Sequence, residues 1–182
     1  MKNKLNIKDV KTCFDFKIED MMLHHISRLS ENSYGYTIDY DVYLPTKNKN
    51  LQRDFCWSLF QKQQLILSIL KEINIPHLSV IQYVDERSDI KILKIIDGKQ
   101  RLSTIISFYI GEFPLEINGI EYYFNDLDED LQRAISLFKP RVKIAYEYYD
   151  VLISDDEKIA WFEQINFGGT QQDIDHMNDL KK

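Results

Sequence analysis

The chain has 182 residues, of which 44% are hydrophobic and 13% are aromatic, and this predicts one compact domain with a substantial core. Its formal net charge of −6 argues against a protein that coats DNA regardless of sequence, because such binding needs a broad basic surface. No apolar run approaches the roughly 18 residues that cross a bilayer, and residues 1–11 lack the apolar core of a secretory signal.

The N-terminal part of the chain predicts a helix followed by a strand. Apolar residues recur at helical spacing from Ile18 to Leu29, which indicates an amphipathic helix. We therefore assign residues 1–35 to an N-terminal helical segment and residues 36–182 to the main domain. Alternation of apolar and polar residues over 36–44 then predicts the first strand.

The middle of the chain predicts two helices that flank a pair of strands. Ser58 and Gln61 have the spacing of a capping box, which opens the first of these helices. Two runs rich in β-branched residues, 78–84 and 90–96, predict strands joined by a charged turn. Apolar residues return to helical spacing over 102–109, so a second helix follows directly after the strand pair.

The C-terminal part continues the alternation of strands and helices, beginning with a hairpin whose turn is Asn118-Gly119. The later elements are the hairpin strands 113–117 and 120–124, a helix capped by Asp126 or Asp128, a strand over 141–149, a helix opened by the capping box of Ser154 and Glu157, and a short helix over 173–180. The pattern as a whole predicts an α+β fold with a small mixed sheet in a single domain.

The first candidate site is the run from Asp97 to Arg101, which lies between a predicted strand and a predicted helix. Gly98 permits a sharp turn or a close approach of the backbone to a ligand. Lys99 and Arg101 supply positive charge where a helix N-terminus also favours anions. Asp97 has the chemistry to hold Mg²⁺ through a phosphate or to orient a water molecule. The alternative is an ordinary junction in which Asp97 caps the helix and the basic residues are solvated.

The second candidate is Gln52 and Arg53, which precede a predicted helix in a polar segment, together with Trp57. An arginine in such a loop can contact phosphate, and a tryptophan can stack on a base. The alternative is that Trp57 fills the core, which is the commoner role of an isolated tryptophan.

The third candidate is the stretch Asn166-Phe167-Gly168-Gly169-Thr170, which ends a predicted helix. A glycine pair at this position can be a simple helix C-cap. It can also present backbone N–H groups and the Thr170 hydroxyl to a phosphate. The stretch is not a Walker A loop, because no Gly-Lys-Ser/Thr sequence follows it.

Histidine and cysteine spacing gives no indication of a metal site. His24 and His25 are adjacent and point to different sides of a helix, so they cannot form an i, i+4 metal pair. Cys13 and Cys56 lack metal-type spacing and are expected to be reduced thiols. We therefore expect no structural metal and a cytoplasmic protein.

Three separated segments, in this order, together resemble one known family. Residues 51–58 resemble its Q-R-x-[FY]-x-W segment, residues 95–102 its D-G-x-Q-R-L signature, and residues 162–170 its F-x-x-I/L-N-x-x-G segment. Ile75-Pro76 also stands where that family has an I-P before a strand. The family is the N-terminal domain of GmrSD-type modification-dependent restriction proteins, in the ParB/sulfiredoxin-like superfamily.

This resemblance implies a domain whose signature loop binds a nucleoside triphosphate with Mg²⁺, hydrolyses it in some members, and controls a separate nuclease acting on phage DNA. The catalytic residues implied are Asp97, Gln100 and Arg101. The nucleotide-binding residues implied are Gln52, Arg53, Gly98, Lys99, Asn166, Gly169 and Thr170.

The chain departs from the family pattern because it contains no nuclease region, so cleavage by this chain alone is not expected. A defence regulator and a phage counter-defence protein both fit. Two other functions stay open. One is a DNA-binding or nicking protein, supported by basic clusters at Lys47, Lys49 and Arg53 or at Arg141 and Lys143. The other is an interaction module without catalysis, with a nuclease or another defence protein as its partner. No membrane association is expected.

Overall fold

A computed structural model describes residues 16–30, 35–85, 87 and 90–167 of the chain. In chain order the elements are β1 (Glu19–Met22), α1 (Ile26–Ser30), β2 (Tyr36–Asp39), β3 (Tyr43–Leu44), β4 (Lys49–Asn50), α2 (Leu59–Leu70), β5 (Leu78–Asp85), β6 (Ile90–Asp97), α3 (Lys99–Tyr109), β7 (Leu115–Ile117), β8 (Ile120–Tyr122), a 3-10 turn (Phe124–Asp126), α4 (Glu129–Ser136), β9 (Arg141–Tyr148) and α5 (Asp155–Phe167).

Five of these strands form a mixed sheet in the order β1-β9-β5-β6-β2, with β5 at its centre. β1 pairs with β9 and β5 pairs with β6 in antiparallel fashion, whereas β5 with β9 and β2 with β6 run parallel. The remaining strands form two small hairpins, β3–β4 and β7–β8. The predicted fold class, α+β with a small mixed sheet flanked by helices in one domain, is confirmed. The ParB/sulfiredoxin-like relationship stays a prediction.

Each face of the sheet buries its own apolar core, because successive strand residues point to opposite faces. On one face, Leu93 and Ile95 of β6 belong to the larger core, which includes residues of α1, α2, α3 and α4. On the other face, Ile96 belongs to a smaller core with Trp161 and Phe162 of α5. β6 is therefore covered on both faces, and the segment that follows it emerges between two packed layers.

The N-terminal helix predicted across residues 18–29 is wrong for residues 18–25. Glu19–Met22 form β1, which pairs with the edge of β9, and only Ile26–Ser30 are helical. The pairing gives backbone groups at the edge of β9 hydrogen-bond partners, which helical periodicity in the sequence cannot reveal. The boundary proposed at residue 35 stays a prediction, although residues 19–22 contribute a strand to the main sheet.

The single strand predicted over residues 36–44 is also wrong, because a turn divides it into β2 and β3. The Asp39 carboxylate accepts hydrogen bonds from the backbone N–H groups of Asp41 at 3.1 Å and Val42 at 2.9 Å. Val42 has a positive φ of 50°. An aspartate that binds the backbone two or three residues ahead stabilises a turn in competition with a strand.

Several local predictions are confirmed by the backbone geometry. Ser58 and Gln61 form the capping box of α2. Asn118 and Gly119 both have positive φ in the β7–β8 turn, as a two-residue type I′ hairpin requires. Asp128, rather than Asp126, caps α4 by accepting the Leu131 N–H. None of the helices in the described part of the chain is long and apolar enough to span a membrane. The helix predicted over residues 173–180 lies outside the described residues.

Candidate functional site

The signature stretch lies where β6 ends and α3 begins. Asp97 is the last residue of β6, and Gly98 occupies the N-cap position of α3 with φ 102° and ψ 14°. The helix start has no side-chain cap, so the interpretation of Asp97 as the helix cap is wrong. β6 carries an irregularity here, since Asp97 pairs with Ser79 while Ile95 pairs with the adjacent Val80. Such bulges redirect the side chains that follow them.

Gly98 is required by both its conformation and its surroundings. A Cβ atom at this position would lie 2.3 Å from Leu78 Cδ2 and 3.3 Å from Arg101 Nη2. Its positive φ also disfavours residues that carry a side chain. Glycine is therefore required at this position by the fold itself, whether or not a ligand binds.

Asp97 and Arg101 form an ion pair one helical turn apart. Arg101 Nη2 donates to Asp97 Oδ2 at 2.5 Å, and both side chains are largely buried, with exposed fractions of 15% for Arg101 and 16% for Asp97. Arg101 Nη1 also donates to the Pro76 carbonyl at 2.9 Å. Arg101 thus ties the start of α3 to the segment that leads into β5.

Gln100 connects the start of α3 to the segment before α2. Its Oε1 accepts hydrogen bonds from the backbone N–H groups of Cys56 at 2.9 Å and Trp57 at 3.3 Å. Its Nε2 donates to the Asp54 carbonyl at 3.1 Å. The first two sequence segments are therefore in direct contact, as the resemblance implies. The Gln100 amide group, however, is already hydrogen-bonded to the backbone of residues 54–57.

Arg53 is the exposed cation of this arrangement. The preceding residue, Gln52, donates from its side chain to the Ile95 carbonyl of β6, and the following residue, Asp54, accepts from Gln100. Within the described part of the chain, Arg53 itself has neither an ion pair nor a hydrogen-bond partner. Its backbone is anchored on both sides while its guanidinium remains available. Trp57, by contrast, packs against the larger core.

Lys99 is buried and forms an ion pair with an exposed aspartate, Asp41. Its Nζ lies 2.6 Å from Asp41 Oδ1, and its side chain is 9% exposed while that of Asp41 is 55% exposed. No pattern in the sequence singles out Asp41, because its position beside Lys99 depends on the turn between β2 and β3. A phosphate at this place would compete with the Asp41 carboxylate for Lys99.

The third predicted segment is only partly described. Asn166 is buried near the end of α5, and its Nδ2 donates to the Phe162 carbonyl at 2.8 Å within the same helix. Gly169 and Thr170 lie outside the described residues, so their predicted contact with a nucleotide stays a prediction. The α5 helix itself packs against β6, the strand that carries the signature.

The donor atoms near the signature fit Mg²⁺ only when it is accompanied by phosphate. Among the described residues, no three His, Cys, Asp or Glu side chains come together as a metal-binding group. Asp97 and Asp41 each carry a cationic partner. Mg²⁺ commonly takes one or two carboxylates and completes its coordination with substrate phosphates and water. The predicted Mg²⁺ would therefore arrive with a nucleotide rather than bind beforehand.

The basic clusters that favoured DNA binding are partly neutralised. Lys47 forms an ion pair with Asp156 at 3.2 Å, and Lys143 forms one with Asp20 at 3.0 Å. Local charge of this kind does not make the broad basic surface that sequence-independent DNA binding requires.

A cavity of about 430 Å³ opens beside Arg101 and was not predicted. It lies between the end of α2, α3 and the segment from α4 to β9, and Lys139 and Arg141 also line it. The sequence singled out Arg141 only as part of a basic cluster, because the cavity exists only once these distant segments are packed together.

The chain matches a protein-family model over most of its length. The family described as GmrSD restriction endonuclease, N-terminal domain, matches residues 30–177. No curated protein and no solved structure matches the chain significantly. The matched range contains all three sequence segments, of which the signature is the second.

Proposed function

The chain belongs to the family of GmrSD restriction endonuclease N-terminal domains, and from this premise we propose that it binds a nucleoside triphosphate at the start of α3. We place the phosphates between Arg53 and the first turn of α3. In this proposal the bound nucleotide controls a separate restriction nuclease, and slow hydrolysis resets the domain.

The observation that carries this proposal is the position of Arg53. It is exposed, and its neighbours Gln52 and Asp54 are anchored to the end of β6 and to Gln100 at the start of α3. The first turn of α3 has no side-chain cap, so its backbone N–H groups favour an anion. A guanidinium beside such a helix start suits phosphate, which arginine can hold through two parallel hydrogen bonds.

The remaining signature residues would position this site rather than contact the nucleotide. Gln100 holds the Arg53 segment against α3, and the Asp97–Arg101 pair fixes the end of β6. Lys99 would contribute to binding if phosphate displaced Asp41. Mg²⁺ bound to the phosphates would neutralise the charge that the protein leaves uncompensated.

Calorimetric titration with ATP, GTP and CTP, each with and without Mg²⁺, tests the proposal. We expect at least one nucleotide to bind, and Arg53→Ala to weaken its binding about 10- to 100-fold, the loss expected for a charge-assisted hydrogen-bonded contact. Arg133→Ala is the matched control, because Arg133 is also exposed but lies on α4. Release of inorganic phosphate from the bound nucleotide measures hydrolysis.

Two outcomes would contradict the proposal. The first is no binding of any of the three nucleotides by the native protein. The second is an equal effect of Arg53→Ala and Arg133→Ala, which would show that a general change of charge, rather than a local contact, weakens binding. Binding without phosphate release would leave a nucleotide-binding domain that has no hydrolytic activity.

A further inference from the structure

We propose that the cavity beside Arg101 is a second ligand site, which takes a small organic anion whose carboxylate or phosphate is attached to an apolar body. The cavity has a volume of about 430 Å³, which lies within the range of small-molecule sites. Its lining includes Arg101 from the first turn of α3 but not Arg53, Lys99 or Gln100, so it does not coincide with the proposed nucleotide site.

The walls of the cavity are mainly apolar and come from four parts of the chain. Its apolar lining includes Ile69 on α2, Ile73 and Ile75 after it, Ile105 on α3 and Phe138 after α4. Ile69 and Ile105 are buried, whereas Ile73 is 55% exposed at the mouth. An apolar ligand would therefore cover side-chain surface that water now contacts, and this burial favours binding.

Two cations at the mouth determine the charge of the ligand. Lys139 and Arg141 line the cavity and are exposed, and within the described part of the chain neither forms an ion pair. Glu72 is the one acidic residue among the described residues that line it. Arg101 adds little net charge, because its guanidinium already pairs with Asp97. The lining thus favours an anion over a neutral or cationic ligand.

The backbone that carries these two cations is fixed before any ligand binds. The Phe138 carbonyl accepts from the Ile26 N–H at 3.1 Å, and the Pro140 carbonyl accepts from the Leu23 N–H at 2.9 Å. Arg141 is the first residue of β9 and is paired there with Met22 of β1. The side chains of Lys139 and Arg141 therefore project from one rigid backbone segment, with Pro140 between them. This lowers the entropic cost of binding an anion between the two side chains.

Three probes with the same apolar body separate the contribution of the charged head group from that of the apolar body. They are 2-naphthoate, 2-naphthyl phosphate and the neutral 2-naphthamide. Each is titrated into the ¹⁵N-labelled native protein and followed by amide chemical shifts. We expect the two anions to shift the backbone amides of residues 72–75, 138, 139 and 141. They should bind about tenfold more tightly than 2-naphthamide, because two partly exposed charges each contribute a few-fold. Comparison of the carboxylate with the phosphate tells which head group the site prefers.

The variants Lys139→Met and Arg141→Met remove the charges while keeping an apolar stem. We expect each to weaken anion binding about 2- to 5-fold, and the double variant to remove the preference over 2-naphthamide. Arg133→Met, on the exposed side of α4, is the control and should change nothing.

Equal affinity for the anions and the amide would overturn the proposal, as would shifts confined to other parts of the protein or no shifts at all. The Arg53→Ala variant should bind the naphthyl anions normally. Failure of the second site and failure of the nucleotide site are therefore distinguishable.

Discussion

Replacing Gly98 with alanine would add a methyl group to the tightest point of the signature. The new Cβ would lie 2.3 Å from Leu78 Cδ2 and 3.3 Å from both Leu78 Cγ and Arg101 Nη2. Leu78 belongs to the larger core and is only 2% exposed, so its side chain has little freedom to move away. The replacement would also impose a positive φ of 102° on a residue that has a side chain.

Two costs add up in the free energy of unfolding. Placing alanine in a backbone conformation that suits glycine costs about 1–2 kcal/mol, and overpacking of a filled core costs about 1–3 kcal/mol. We therefore expect Gly98→Ala to destabilise the protein by about 2–5 kcal/mol. Gly111→Ala is a matched control, because Gly111 also has a positive φ, of 79°, but would place its Cβ in open space. It should incur only the backbone cost.

Urea unfolding followed by circular dichroism measures these differences. The Leu78→Ala background removes both Leu78 atoms that the new methyl group would meet and leaves only Arg101 Nη2, the far end of a flexible side chain, at 3.3 Å. Gly98→Ala should there cost about as much as Gly111→Ala does in the native background. Strict additivity of Gly98→Ala with Leu78→Ala would refute this reasoning. So would equal costs for Gly98→Ala and Gly111→Ala in the native protein.

Three further predictions concern other parts of the structure. Gln100→Ala removes the hydrogen bonds to residues 54–57. We expect faster amide hydrogen exchange at Cys56 and Trp57 and a decrease of about 1–2 kcal/mol in the free energy of unfolding. Unchanged exchange would contradict this role of Gln100. Glu147 is fully buried between two lysines, so Glu147→Gln should cost about 3–5 kcal/mol in urea unfolding, whereas the exposed Glu116→Gln should stay within about 0.5 kcal/mol of the native protein. Burial raises the pKa of Tyr40 from 10.0 to about 12, so the unfolded chain loses this proton first as the pH rises and stability should fall between pH 10 and pH 12. Tyr40→Phe should reduce that fall, by at most about 2–3 kcal/mol, and an identical pH profile would exclude this origin.

The local elements were predictable because short-range rules determine them. The box of Ser58 and Gln61 places each side chain within reach of the other residue's backbone, and this geometry depends on four consecutive residues alone. Asn118 and Gly119 tolerate the positive φ of a two-residue hairpin for equally local reasons. Predictions of this kind require no knowledge of what lies on the other side of the sheet.

The elements that were predicted wrongly depend on partners that are far away in the sequence. Residues 19–22 form a strand because the edge of β9, more than 100 residues later, offers backbone groups to pair with. The positions of Asp41 beside Lys99 and of Pro76 beside Arg101 likewise follow from the assembled sheet. Polar residues that the sequence suggests for ligand binding can thus already be hydrogen-bonded or ion-paired to other residues of the folded protein.

These contacts within the protein limit what mutations in the signature can show about function. Lys99, Gln100 and Arg101 bind Asp41, the segment 54–57 and Pro76, so one short stretch joins three separate parts of the chain. Loss of nucleotide binding on mutating any of them would follow equally from loss of a ligand contact and from loosening of the fold. Arg53 differs, because it is exposed and its side chain has no partner within the described residues. Its replacement should leave stability unchanged, and so a loss of affinity there would report on the ligand itself.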